Sequence, residues 1–253
     1  MSRDATMRAA AGGLLPFPLS PVARENLTNR VYGQLRAALM EGRLWPGQRL
    51  KIRDLARGLA VSETPVREAV MQLVREGGLE MSERGPISVA RLTLAQYLEL
   101  RRIRLELEGL AAEAATPLLG DGEIALLEEI HASLVEAEAT GDWSTAVSAN
   151  WRFHFSLYRA ARMPELQAIL ERIWLRNGPL INYHYPDAAP TYAGEHQHLH
   201  VIEALKARDA LGVRRAVQDD MIEGGRRLVA LLREIEAGTR TVETDAERPL
   251  AVG

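Results

Sequence analysis

The 253-residue sequence contains no cysteine, which excludes disulfide bonds and metal sites built on thiolates. No apolar run approaches the roughly 20 residues that a membrane-spanning helix needs. The N-terminus lacks the continuous apolar core of a secretion signal. Glycine-rich phosphate loops and internal repeats are absent as well. These absences leave an ordinary globular protein, which we expect in the reducing cytoplasm and without a membrane partner.

The net charge of −3 by itself argues against a nucleic-acid partner, but the charge is unevenly distributed. Residues 24–91 contain 12 Arg and Lys and 8 Asp and Glu, a net charge of +4. Residues 92–253 contain 17 Arg and Lys and 25 Asp and Glu, a net charge of −8. A basic segment joined to an acidic one is expected of a DNA-binding domain with a separate sensing domain.

We predict four segments from composition and periodicity. A disordered tail, rich in Ala, Gly and Pro, covers 1–24, and a DNA-binding domain covers 25–91. An effector-binding and dimerisation domain covers 92–237, and a flexible tail covers 238–253.

Residues 44–89 show the pattern of a helix-turn-helix followed by a hairpin. Apolar spacing predicts a short helix over 52–59 and a second helix that begins after Ser62, its expected N-cap. Gly77–Gly78 ends the second helix. Two short apolar runs around a Gly-Pro turn then predict a β-hairpin, or wing, that ends at Val89.

The second helix has a polar outer face, and its N-terminal turns have the width and chemistry to meet base edges in the major groove. The residues on this face are Glu63, Thr64, Arg67 and Glu68. Basic residues nearby are candidate phosphate contacts, namely Arg49, Lys51, Arg53, Arg57 and Arg84. The alternative is a structural three-helix module whose arginines only face solvent.

Fixed positions in this stretch resemble the GntR superfamily of bacterial transcription regulators. They are Val31-Tyr32, Leu35-Arg36, Gly42-Arg43-Leu44, Pro46-Gly47, Leu55-Ala56, Val61-Ser62 and Thr64-Pro65-Val66-Arg67-Glu68-Ala69. The resemblance implies double-stranded operator DNA as the partner. It implies contacts to that DNA from Arg53, Ser62, Thr64 and Arg67, with Gly85 at the wing. The family usually has arginine where this chain has Glu63, a carboxylate that would repel phosphate and could accept a hydrogen bond from cytosine.

No strand-like alternation follows Val89, and apolar periodicity predicts an all-helical second domain. The expected helices cover 93–115, 123–139, 143–160, 164–181, 192–207 and 210–236. Thr93 and Gln96 form a capping box for the first helix, and Asp142 and Asp209 are expected N-caps of later ones. The predicted fold is therefore mainly α, a winged helix-turn-helix followed by an antiparallel helical bundle.

Three of these helices place a polar side chain within an apolar stripe. The inward residues are Asn150, His154, His198 and Asp220. His196 and His200 are predicted to lie on the opposite face from His198. A divalent metal ion would satisfy the inward set, with two imidazoles, one carboxylate and the amide oxygen of Asn150 as a weaker fourth ligand. The donor set favours zinc or nickel, and the alternative is a buried Asp–His ion pair without metal.

The second domain resembles the FCD effector domain of the FadR branch of this superfamily. Asn150-Trp-Arg-Phe-His154 matches a metal-binding Asp-x-x-Phe-His motif, with Asn in place of Asp. His198 matches a second ligand, and Asp220 stands where the family has a third histidine. The two departures keep one carboxylate in the set, which favours a retained metal ion.

The same resemblance implies a small organic acid bound at the metal ion or on a nearby arginine. Arg104, followed by Glu108 and Gly109, matches an Arg-x-x-x-Glu-Gly element of the family. Arg104, at the edge of the apolar stripe of its helix, is therefore either an effector contact or one half of an i, i+4 salt bridge with Glu108, worth a few tenths of a kcal/mol. Further candidates for a cavity wall are Arg172, Arg176, Asn177, Tyr183 and His184.

The expected function is ligand-responsive transcription regulation by a homodimer acting as a repressor. One recognition helix reads too few bases for useful selectivity, and paired half-sites increase it. Two alternatives remain open: a metal-free FCD regulator that binds a bulkier ligand, and a metal-dependent enzyme, for which no catalytic residue is predicted.

Overall fold

A computed structural model describes residues 27–82, 85–185, 189 and 195–242. It confirms the predicted fold class, a winged helix-turn-helix followed by a helical bundle. The predicted tail 1–24, Arg84 and most of the predicted tail 238–253 lie outside the described residues. No described helix combines the length and the apolar character needed to cross a bilayer.

The first domain alternates three helices with a small sheet. Its elements are α1 (Leu27–Met40), β1 (Arg49–Leu50), α2 (Ile52–Gly58), α3 (Glu63–Arg75), β2 (Leu79–Met81) and β3 (Ile87–Val89). The sheet is antiparallel with the order β1-β3-β2. The hairpin was predicted, whereas β1 was not, because two residues are too short to show an alternating pattern.

Helix α3 has the amphipathic character that its spacing predicts. Val66, Val70 and Leu73 are fully buried against α1, and the helix ends before Gly77, which adopts a positive φ of 80°. Ser62 is the N-cap of this helix, as predicted, and its backbone is extended as that position requires. Its exposed hydroxyl, however, makes no capping hydrogen bond.

The second domain is helical throughout its described residues. Its helices are α4 (Leu94–Ala115), α5 (Asp121–Thr140), α6 (Trp143–Ala160), α7 (Pro164–Asn177), α8 (Gln197–Lys206), α9 (Ala210–Gly224) and α10 (Arg226–Glu236). Thr93 and Gln96 form the predicted capping box. Asp142 and Asp209 cap α6 and α9 through their side chains.

Three predicted helices are shorter than expected. The helix predicted over 192–207 begins only at Gln197. The helix predicted over 210–236 is divided at Gly225, where a Cβ atom would lie 2.8 Å from the carbonyl oxygen of Met221. A glycine pair also costs about 1–2 kcal/mol in a helix interior, which favours a break there. The helix predicted over 164–181 ends at Asn177 and continues as a 3₁₀ segment, Gly178–His184.

The two domains share a hydrophobic core at their junction. Helix α1 packs on α7 and on the 3₁₀ segment, and Gly178 lies so close that a Cβ atom would be 2.4 Å from the carbonyl oxygen of Leu39. The amide nitrogen of Asn182 donates to the carbonyl oxygens of Gly42 at 2.7 Å and Leu44 at 3.1 Å. The 3₁₀ segment therefore connects the helical domain directly to the end of α1.

Candidate nucleic-acid interface and metal centre

The described residues that were predicted to read DNA from α2 and α3 are all exposed. Ser62, Glu63, Thr64 and Arg67 are exposed at the N-terminal end of α3, and Arg53 is exposed on α2. The other described basic candidates are also exposed, namely Arg49, Lys51 and Arg57. This arrangement leaves the N-terminal turns of α3 accessible to a duplex, and the individual contacts stay predictions.

Gly85 occupies the turn of the wing with a φ of 93°, a conformation that side chains other than glycine rarely adopt. Its N–H donates to the carbonyl oxygen of Ser82 at 2.8 Å. The glycine is thus required by the turn itself, whatever contact it makes to a duplex.

Glu63 lies one helical turn before Arg67, and their charged groups are 3.6 Å apart. Both side chains are more than half exposed, so the pair contributes at most about 0.5 kcal/mol to stability. The pair biases the direction of the Arg67 guanidinium, an effect separate from the predicted contact of Glu63 with a base.

Three of the predicted metal ligands converge in the helical domain. Nε2 of His154 on α6 lies 3.3 Å from Oδ2 of Asp220 on α9 and 3.4 Å from Nε2 of His198 on α8. Nε2 of His198 lies 3.9 Å from the same carboxylate oxygen. All three residues are buried. Three helices therefore aim one donor atom each at a single point.

Asn150 and Arg104 line a cavity next to this point. The cavity has a volume of about 70 Å³. Its wall contains Tyr97, Arg104, Glu108, Asn150, His154, Trp174, Asn177, Leu180, Ile181, His184, Tyr185, Asp220, Met221, Gly224, Gly225 and Leu228. Of the further wall candidates, Asn177 and His184 are present, while Arg172, Arg176 and Tyr183 are not among the lining residues.

Electrostatics keep two of the donors, His198 and Asp220, in forms that can bind a cation. Burial lowers the pKa of His198 well below its usual value, so its imidazole is neutral near pH 7. Burial alone would raise the pKa of Asp220, but the imidazoles of His198 and His154 outweigh it and lower that pKa. The site therefore combines an ionised carboxylate with a neutral imidazole.

The Glu108 carboxylate, which is completely buried, organises the wall of the cavity. It accepts hydrogen bonds from Nε of Arg104 at 2.6 Å, from Nε1 of Trp174 at 2.7 Å and from the hydroxyl of Tyr158 at 2.7 Å. The Arg104 guanidinium also lies over the Trp174 ring, 4.5 Å from its centroid. The predicted Arg104–Glu108 salt bridge is therefore present, but it is buried, so the few tenths of a kcal/mol expected for an exposed pair do not apply to it.

Tyr158 was missed by the sequence analysis. Its hydroxyl lies 3.2 Å from Nδ1 of His154, one helical turn earlier on α6. The i, i+4 step that joins Asn150 to His154 continues to Tyr158, so the same helical periodicity could have found it.

The prediction that His196 points away from His198 is wrong. Helix α8 begins at Gln197, and His196 precedes it, so the helical phase does not apply. The two imidazole rings are 4.5 Å apart between centroids, and Nδ1 of His196 accepts a hydrogen bond from the backbone N–H of His198. His200, by contrast, is exposed on the other face of the helix, as predicted.

The fold and the exposed recognition helix define a class, a DNA-binding transcription regulator with an attached helical domain. Two family models match the chain. The model described as "Bacterial regulatory proteins, gntR family" matches residues 27–89, and the FCD domain matches residues 99–222.

Relatives agree with this match over most of the chain. The HTH-type transcriptional regulator McbR of Escherichia coli K12 is 34% identical over 198 residues, 78% of this chain and 90% of McbR. The Nta operon transcriptional regulator of Aminobacter aminovorans is 30% identical over 169 residues, 64% of this chain and 76% of that protein. The solved structure of E. coli McbR/YncC superposes with a TM-score of 0.72 at 32% identity, covering 83% of this chain and 98% of that one.

The chain therefore belongs to the GntR family of bacterial regulators, in the branch that carries an FCD domain. Proteins of this family bind operator DNA through the winged helix-turn-helix. The relatives are transcription regulators, and the enzyme alternative is rejected on that ground.

Proposed function

We propose that the protein is a ligand-responsive repressor whose FCD domain holds one divalent metal ion and senses a small carboxylate beside it. The convergence of the buried residues His154, His198 and Asp220, the first and last of which line the cavity, carries the proposal. The ion, when bound, would supply an electrophilic centre for an anionic ligand.

The spacing of the donor atoms fits a transition-metal ion. Tetrahedral bonds of about 2.1 Å separate neighbouring ligand atoms by about 3.4 Å. The three measured separations are 3.3, 3.4 and 3.9 Å. The amide oxygen of Asn150, on the same cavity wall, is available as a weaker additional ligand. Imidazole and carboxylate donors together favour zinc or nickel.

The hydrogen bonds of Tyr158 also support a cation. Its hydroxyl has one proton and donates it to Glu108, so its oxygen accepts from Nδ1–H of His154. Nε2 of His154 then carries a lone pair 3.3 Å from the Asp220 oxygen, which is an acceptor too. Two acceptors at that distance require a cation between them or a protonated His154. Without metal, the second case is the buried ion pair that the sequence left open.

The cavity suits a small anion better than a bulky ligand. Its volume of about 70 Å³ is several times that of one water molecule and far below the roughly 300–1,000 Å³ of drug-sized pockets. The charge of Arg104 on the cavity wall is balanced by Glu108, so the bound metal ion would supply the positive charge that an anion needs. The side-chain oxygen of Asn177, which is buried without a hydrogen-bond partner among the described residues, would accept from a hydroxyl group of the ligand. We therefore favour a carboxylate of a few carbon atoms over the bulkier ligand of the metal-free alternative.

A route from the cavity to the DNA-binding domain runs through the 3₁₀ segment. Leu180, Ile181 and His184 line the cavity, and Asn182 between them holds the carbonyl oxygens of Gly42 and Leu44. A ligand that displaces this segment would therefore act on the end of α1. Such coupling is limited to the difference in ligand affinity between the free and DNA-bound forms, typically about 1–3 kcal/mol.

A homodimer is part of the proposal because the operator of a winged helix-turn-helix protein consists of paired half-sites. Helix α4 carries two apolar side chains on one face, Ile103 and Leu110, which are 41% and 39% exposed. Their spacing of seven residues places them in line along the helix, as a self-complementary contact would require.

The test begins with protein purified without chelator. Wild-type protein should contain bound zinc or nickel by mass spectrometry, His198→Gln should lose it, and the matched exposed variant His200→Gln should retain it. Small carboxylates should then raise the melting temperature and change operator affinity in fluorescence anisotropy. Wild-type protein without metal would refute the metal site. Ligand binding without any change of DNA affinity would refute the sensor.

A further inference from the structure

We infer that His131, His196 and His198 form a second position for a divalent transition-metal ion, next to the one proposed above. His131 lies on α5, and His196 and His198 lie at the start of α8. One ring nitrogen from each of the three lies within 4.8 Å of the others. Of these three residues, only His198 also belongs to the sensor site, so this second position is additional to the proposed function.

Two of these imidazoles have buried nitrogen atoms without a hydrogen-bond partner. Nδ1 of His131 and Nδ1 of His198 are inaccessible to solvent and unbonded among the described residues. His131 is 7% exposed and His198 is 0% exposed. Buried polar atoms without partners cost about 1–3 kcal/mol each and require an explanation. A bound cation would explain both unpartnered nitrogen atoms.

The three donors determine which kind of cation fits. A neutral imidazole has one lone pair to offer, on one of its two ring nitrogens. Three imidazoles without a carboxylate suit Zn²⁺, Ni²⁺ or Cu²⁺ rather than Mg²⁺ or Ca²⁺.

The rings are already arranged around a common point. His131 and His196 are 4.9 Å apart between centroids, and His198 is held in place by stacking on Phe153 at 3.8 Å. Bonds of about 2.1 Å would hold the nitrogens about 3.4 Å apart, so an ion draws atoms now within 4.8 Å together by at most about 1.4 Å. The half-buried His196 has the room to make this adjustment.

Binding has a definite chemical cost at His196. The Nδ1 lone pair of His196 accepts a hydrogen bond from the backbone N–H of His198 at 3.2 Å. A neutral ring has only this lone pair, so binding the ion breaks that hydrogen bond. The His198 ring also has a single lone pair while neutral, so it serves one position at a time. The two positions therefore compete for His198.

Because the positions share a ligand, the test compares variants that remove one position each. His131→Gln removes the second position, and the double variant His154→Gln/Asp220→Asn removes the first. Each protein is stripped with chelator, refilled with Zn²⁺ alone and titrated against a chromophoric chelator. We expect both variants to retain one ion. Adding His131→Gln to the double variant should weaken binding by on the order of 100-fold or more, whereas adding His200→Gln should not.

The outcomes separate the two proposals. A double variant that binds no ion, or a triple variant that still binds one, overturns the second position and leaves the sensor site standing. If His131→Gln binds none while the double variant binds one, the sensor ligand set is overturned instead. Wild-type protein that binds no ion overturns both. As a second check, anomalous diffraction at the zinc edge from crystals of the double variant, in which only the second position remains, should include a peak about 2.1 Å from nitrogens of His131 and His196.

Discussion

Replacing Arg104 by alanine is predicted to destabilise the fold far more than its spacing from Glu108 suggests. The Arg104 side chain is 9% exposed and that of Glu108 is 1% exposed, and the charged atoms are 2.6 Å apart. Burial alone would lower the pKa of Arg104, but Glu108 outweighs it and raises that pKa. The substitution therefore leaves a buried carboxylate without its cation.

Breaking a buried ion pair on one side costs about 3–5 kcal/mol, and the remaining bonds from Tyr158 and Trp174 keep Glu108 from moving to solvent. For a protein of this size each kcal/mol lowers the melting temperature by about 2–4 °C, so the expected decrease is about 6–20 °C. The measurement is thermal unfolding by circular dichroism at one protein concentration.

Two further variants show whether the uncompensated charge is the cause. Arg104→Ala/Glu108→Gln removes the charge but keeps a side-chain acceptor, and it should recover at least half of the lost stability. Arg67→Ala breaks an exposed pair of the same i, i+4 spacing, with Glu63, and should cost at most about 0.5 kcal/mol. If Arg104→Ala costs less than about 1 kcal/mol, the charge is not held in a dry core and the reasoning fails.

Three other predictions concern DNA and its coupling to the cavity. Arg67→Ala should lose about 1–3 kcal/mol at the specific operator and far less on random DNA in fluorescence anisotropy, and an equal loss on both would assign Arg67 to the backbone. Glu63→Arg should change the operator selected from a random duplex library, and an unchanged selection would show that position 63 reads nothing. Asn182→Ala should leave the ligand's Kd on the free protein unchanged and reduce the effect of ligand on operator affinity; full retention of that effect would exclude Asn182 from the route.

Much of the fold could be predicted because its signals are local. The burial of Val66, Val70 and Leu73 follows from helical spacing, and the wing follows from a short hairpin pattern. The convergence of His198 and Asp220 was also predictable, since each is a polar residue within an apolar stripe. Such signals need only the periodicity of one element at a time.

The predictions from sequence were wrong or incomplete for side chains whose environment depends on where a helix begins or on how deeply the side chain is buried. His196 was placed on the wrong face because helical phase was applied to a residue that precedes the helix. The Arg104–Glu108 salt bridge was expected to contribute only a few tenths of a kcal/mol, because an i, i+4 spacing is the same in water and in a core. His131 was missed although Leu127 and Leu134 place it on the buried side of α5. Each error concerns the environment of a side chain, which one helix alone does not determine.

The coupling between the domains depends most strongly on non-local contacts. Asn182 is 140 residues along the chain from Gly42, and no sequence pattern in either segment predicts the hydrogen bond between them. Gly178 permits this approach because it has no Cβ atom to collide with the carbonyl oxygen of Leu39. The segment that closes the cavity is therefore also the one that touches α1. This short chain of contacts is sufficient for a ligand to bias the DNA-binding domain, provided that the ligand binds more tightly to one position of the segment than to another.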